Sequence, residues 1–116
     1  MDSAYSLLTL LNTSIITAYG EYRYAPLTLA QARVALQECV AQNIPVQSAI
    51  GHAATAELLT QLLEYPVAAN RCEFRQEVGA AALVFKLRGR VPEGRILTRA
   101  ELETIGYDFG WLTRHA

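Results

Sequence analysis

Gly51 and His52 open the run "SAIGHAATAELL" (48–59), which otherwise reads as a plain helix of alanine and leucine. The first turn of a helix leaves backbone N–H groups unpaired and carries the positive end of the helix dipole. A glycine at that point lets an anion come close to the amides. An imidazole beside a bound phosphate is a general acid or base for phosphodiester chemistry. The competing reading is a half-buried histidine satisfied by a backbone carbonyl.

Two further clusters bear on the same chemistry. "NTS" (12–14) follows an apolar run, so that an amide and two hydroxyls, from Asn12, Thr13 and Ser14, can project into one crevice. "GRVPEGR" (89–95) places Arg90 and Glu93 three apart on a glycine-bracketed loop stiffened by Pro92. A guanidinium there could hold phosphate bidentately while the carboxylate orients or proton-couples His52. Taken singly, the first cluster is an ordinary turn and the second a solvated salt bridge.

The elements that must position these residues alternate between strand and helix. "YSLLTLL" (5–11) predicts a buried strand, and "IITAYGEYRY" (15–24) a second extended run bent at Gly20. After Pro26, Thr28 and Gln31 form a capping box for a helix whose core face carries Leu29, Ala32, Leu36, Cys39 and Val40. Asn43 and Pro45 end it, and "VQSAI" (46–50) is a short extended piece. A second helix over His52 to Glu64 presents Ala56, Leu59, Leu62 and Leu63 to a core. "CEFRQEV" and "AAALVFKLR" flank Gly79 and predict an antiparallel hairpin. Thr98 and Glu101 cap a third, short helix ending at Gly106, and "YDFGWLTRH" closes the chain as a strand. The pattern is that of one α/β (α+β) domain over residues 1–116, a mixed sheet of about five strands flanked by helices.

Composition fits that reading. The chain has 116 residues, 52% hydrophobic and 18% charged, enough for one core and too few for two ordinary domains. No apolar run reaches the roughly 20 residues that span a bilayer, and "MDSAYSLLTLLN" has an Asp where a signal peptide carries basic residues. A cytoplasmic protein with no membrane partner is expected. Cys39 and Cys72 form no CxxC pair, which predicts two buried thiols and neither a disulfide nor a zinc site. The net charge of −1 gives no basic field for duplex nucleic acid, yet nine of the ten basic residues are arginine, the better fork for phosphate. A genome rich in arginine codons would produce the same count.

Together "LLNTSIITAYGEYRY", "SAIGHAATAELLTQLL" and the stretch from "NRCEFRQEV" through "GRVPEGRIL" to "GYDFGWL" resemble, from about Leu8 to Leu112, the viral anti-CRISPR ring nucleases and their cellular relatives. The resemblance implies an enzyme that binds and cleaves cyclic tetraadenylate, the second messenger of type III CRISPR systems, to linear di-adenylate and so switches off the effectors it activates. It implies a homodimer with the ligand across the two-fold axis, and no cofactor or metal. The family's catalytic His falls on His52 and its loop Arg and Glu on Arg90 and Glu93. Its N-terminal polar contacts fall best on Asn12 and Ser14, with the choice among Asn12, Thr13 and Ser14 for each contact open, and its other ligand contacts fall on Ile50, Gly51 and Arg90. The ribose 2′-hydroxyl would attack its own phosphate, so the protein would align the ring, stabilise charge and protonate the departing 5′-oxygen. Two rivals use the same residues without cutting: a nucleic-acid-binding or regulatory dimer, and a sponge that captures the cyclic nucleotide.

Overall fold

The structure is a computed structural model that describes residues 5–13, 16, 18–89 and 97–116. These form five strands and three helices in the order β1 (Leu8–Asn12), β2 (Tyr22–Leu27), α1 (Leu29–Ala41), β3 (Val46–Ser48), α2 (Ala53–Leu63), β4 (Ala81–Leu87), α3 (Arg99–Ile105) and β5 (Tyr107–Arg114). The strands make one mixed sheet in the order β2-β5-β4-β1-β3. β1 lies parallel to both its neighbours, with Leu10 opposite Ser48 on one side and Asn12 opposite Phe85 on the other. β5 is antiparallel to β4 and to β2. The expected α+β class and five-strand mixed sheet are what the chain adopts.

β1 and β4 are buried along nearly their whole length, which is why they read as continuous apolar runs rather than as alternating strands. On one face Leu8, Leu10, Leu83 and Phe85 meet Leu36 of α1, Leu59 and Leu62 of α2 and Leu102 of α3. Leu8, Leu36, Leu59, Leu62, Leu83, Leu102 and Phe85 are each below 2% or at 2% exposure, and each such side chain contributes about 1.5–3 kcal/mol on burial. On the other face Leu11, Ala82, Val84 and Leu112 pack with Tyr22 and Phe74.

Both capping boxes form. Thr28 Oγ1 accepts from the Gln31 amide while Gln31 Oε1 accepts from the Thr28 amide, and Thr98 and Glu101 do the same for α3. Ala32, Leu36 and Cys39 are the buried residues of α1. Val40, expected on that face, is 46% exposed, because it sits one helical step past the Cys39 ridge. On α2 all four expected core residues are buried, and Leu58 with them.

Three expectations are corrected. The hairpin about Gly79 does not form: residues 72–78 make no strand, because both edges of β4 are already taken by β1 and β5. The 72–78 segment packs on the sheet instead, Gln76 Nε2 donating to the carbonyls of Ala80 and Leu112. The second extended run begins only at Tyr22 and continues through Pro26, which is tolerated because β2 is an edge strand. Cys39 is buried, and burial followed by the neighbouring Glu38 charge pushes its thiol upward, whereas Cys72 is exposed.

Replacing Thr28 with Ala removes a formed cap bond and should lower unfolding free energy by about 0.5–2 kcal/mol, against about 2–5 kcal/mol for Leu62→Ala in the core. Urea denaturation followed by circular dichroism checks both.

Candidate functional site

β1, β3 and β4 run parallel, so their carboxyl ends lie at one end of the sheet, the end at which ligands collect in open α/β sheets. Asn12 is the last residue of β1 and is exposed there. Thr13 follows, its amide donating to the Phe85 carbonyl at 2.8 Å and its φ at 64°. A β-branched residue in left-handed backbone costs on the order of 1–3 kcal/mol, and such strain concentrates at functional positions.

β3 ends at Ser48 opposite Leu10 of β1, and α2 begins five residues later, so its amino terminus emerges at this same end. His52 occupies the N-cap position with extended backbone (φ −122°, ψ 130°), and its side chain makes no capping bond. α1 and α3 close their first turns with complete capping boxes; the first turn of α2 is left without one. The imidazole is exposed and has no hydrogen-bond partner among the described residues, which removes the reading of a half-buried histidine held by a carbonyl.

Gly51 is not required by the fold. Its φ lies outside the left-handed region, and a Cβ there would meet only the Arg71 stem, at 3.6 Å. What the glycine provides is space before the α2 amides. The same contact places Arg71 beside the turn, and its guanidinium has no partner among the described residues. By contrast Arg88 is spent on Asp108, with bonds of 3.1 and 2.7 Å, and that guanidinium holds the Asp108 carboxyl below the usual carboxylate range. Ile50 is fully buried, its amide donating to Ser48 Oγ and its carbonyl accepting from the Asn70 amide. It anchors the turn from below and has no free polar group for a ligand.

The segment after α2 supports this turn. Thr60 Oγ1 accepts from the Val67 amide and shares its one proton between the carbonyls of Ala56 and Val67, which turns the chain back along α2. Ala68 and Asn70 then meet Ser48. The spacing of residues in sequence gives no sign that Asn70 and Arg71 lie here; only the return of the chain after Pro66 could have signalled it. Ser14, Arg90 and Glu93 lie outside the described residues. β4, the strand that leads toward Arg90, ends at the same end of the sheet as Asn12. Among the described residues no group of three His, Cys, Asp or Glu side chains comes together as a metal site, and no helix is long and apolar enough to cross a membrane.

Over residues 8–109 the sequence matches the family described as STIV B116-like. The chain belongs to that family. The Bacillus subtilis protein YddF is 34% identical over 107 residues that cover 92% of this chain and 96% of YddF. ORF117 of Acidianus two-tailed virus is 36% identical over 109 residues, 93% of each chain. Among solved structures, B116 of Sulfolobus turreted icosahedral virus superposes with a TM-score of 0.78 at 20% identity, over 93% of this chain and 99% of that one. That last likeness speaks for a shared STIV B116-like fold alone.

Since neither residue serves the fold, His52→Ala should change unfolding free energy by no more than about 0.5 kcal/mol, and Gly51→Ala should be neutral or stabilising by up to about 1 kcal/mol. Urea titration of both variants decides it; a loss beyond that range for His52→Ala would give the imidazole a structural duty.

Proposed function

We propose that this protein is a ring nuclease that binds cyclic tetraadenylate and cleaves it through the ribose 2′-hydroxyl to linear di-adenylate. The observation that carries the reading is an exposed imidazole with no structural duty, set on an uncapped helix amino terminus. Gly51 leaves the amides open and Arg71 stands beside them.

In this mechanism the 2′-oxygen bonds to the adjacent phosphorus as the bond to the 5′-oxygen breaks. The 2′-hydroxyl loses its proton to solvent, and His52 gives a proton to the departing 5′-oxygen. The α2 amides and Arg90 stabilise the charge on phosphate, with Glu93 orienting or proton-coupling His52. Asn12, Thr13 and Ser14 hold the ring. A ligand with two-fold symmetry is best enclosed by two identical half-sites, so the working unit is a C2 homodimer. Cleavage would silence the type III CRISPR effectors that the messenger activates.

Purified protein incubated with cyclic tetraadenylate in excess chelator should yield linear products ending in a 2′,3′-cyclic phosphate or its hydrolysed form, resolved by chromatography. His52→Ala should cut about 10²- to 10⁴-fold more slowly in single turnover while retaining affinity, because the amides and arginines still hold the phosphates. Binding without any cutting by the parent would convert the reading to a sponge. Affinity for duplex DNA that falls steeply with salt would favour a nucleic-acid-binding regulator. Light scattering should give twice the chain mass at micromolar concentration, and a monomer with full activity would remove the shared site.

A further inference from the structure

The turn that carries Gly51 and His52 is held by a clasp from the chain beyond α2. Asn70 Nδ2 donates to the Ser48 carbonyl at 2.7 Å, and the Asn70 amide donates to the Ile50 carbonyl at 2.7 Å. Ser48 Oγ donates to the Ala68 carbonyl at 2.6 Å and accepts from the Ile50 amide at 3.2 Å. Four bonds therefore hold Ser48 and Ile50, four and two residues before His52, and every one involves Ser48 or Asn70. Asn70 is exposed, and so are its side-chain bonds. A stabilising role could be filled by residues that do not converge on this turn.

We infer that Asn70, acting with Ser48, is a positioning residue that sets the direction of the His52 imidazole. It does so by pinning the Ser48 and Ile50 carbonyls at the exit from β3. This rests on the nuclease reading for its kinetic consequence, but not for its structural one. Proton transfer requires the acid within hydrogen-bond reach of the leaving oxygen, and a misplacement near 1 Å costs on the order of 10²-fold in rate. Ile50 is anchored from below by its buried side chain, so loss of the clasp frees the backbone from Gly51 onward without unfolding α2.

The experiment pairs single-turnover cleavage of cyclic tetraadenylate with backbone ¹⁵N relaxation on the full chain. Asn70→Ala and Ser48→Ala should each slow cleavage roughly tenfold or more, toward 10²-fold, with the thermal midpoint held near that of the parent. Ser48→Thr, which keeps the hydroxyl, should restore the parent rate. In a His52→Ala background, Asn70→Ala should change the residual rate by less than about twofold, since there is no imidazole left to misplace. Backbone order parameters at Gly51 and His52 should fall from about 0.85 toward 0.6 or below in Asn70→Ala, with Leu58 and Leu62 unchanged. Unchanged order at Gly51 and His52 overturns the clasp whatever the activity. Loosened backbone with a parent-like rate, or an Asn70→Ala effect as large without His52 as with it, overturns its role in positioning. A parent that does not cleave refutes the nuclease reading and leaves the relaxation data to decide the clasp alone.

Discussion

β1 is a five-residue strand that pairs in parallel on both edges and is buried on both faces, and the position of every other element follows from it. With water excluded, its amides and carbonyls must all be met by neighbours, so β3 and β4 are forced into register beside it. Parallel pairing requires a crossover, and α2 is the crossover between those two neighbours. Its amino terminus is therefore delivered to the same end of the sheet as Asn12. The site is a by-product of satisfying one strand's backbone.

At that end the molecule leaves undone several things that it does elsewhere. α1 and α3 are capped on both partners of a box, whereas α2 opens with an uncapped first turn and an exposed imidazole. Thr13 holds a φ of 64°, which glycine would adopt without strain. Arg71 is unpaired among the described residues, as are Arg23 and Arg75, while Arg33, Arg88, Arg99 and Arg114 are engaged. Each departure is minor alone. Together they leave donors without partners at one end of the sheet.

What could be read from the amino-acid sequence was local. Capping boxes at Thr28 and Thr98, the apolar stripe of α2 and the odd placement of Gly51 and His52 each depend on residues within one or two turns, and each was legible. Long-range choices were not. "CEFRQEV" has strand-like residues, but no strand edge remained for it once β4 had paired with β1 and β5. Val40 fell on the wrong side of a ridge by one helical step, and Cys72 was drawn out of the core with its segment. The clasp of Asn70 on Ser48 spans twenty-two residues and follows from the Thr60–Val67 clip, which no periodicity announces.

The register of β1 also sets a timetable. Leu8 pairs with Ala81 and Asn12 with Phe85, and β4 is complete only when β5 lies against it out to Thr113. A ribosome releases the apolar "LTLL" segment long before either partner of the central sheet exists. Contacts so distant in sequence are slow to close, and an unpaired apolar strand is exposed to self-association while it waits. The nascent chain must carry β1 without its β4 partner until Leu87 has been made. Expression at low temperature, slow synthesis or chaperone cover should therefore govern the yield of folded protein more than the stability of the finished domain does.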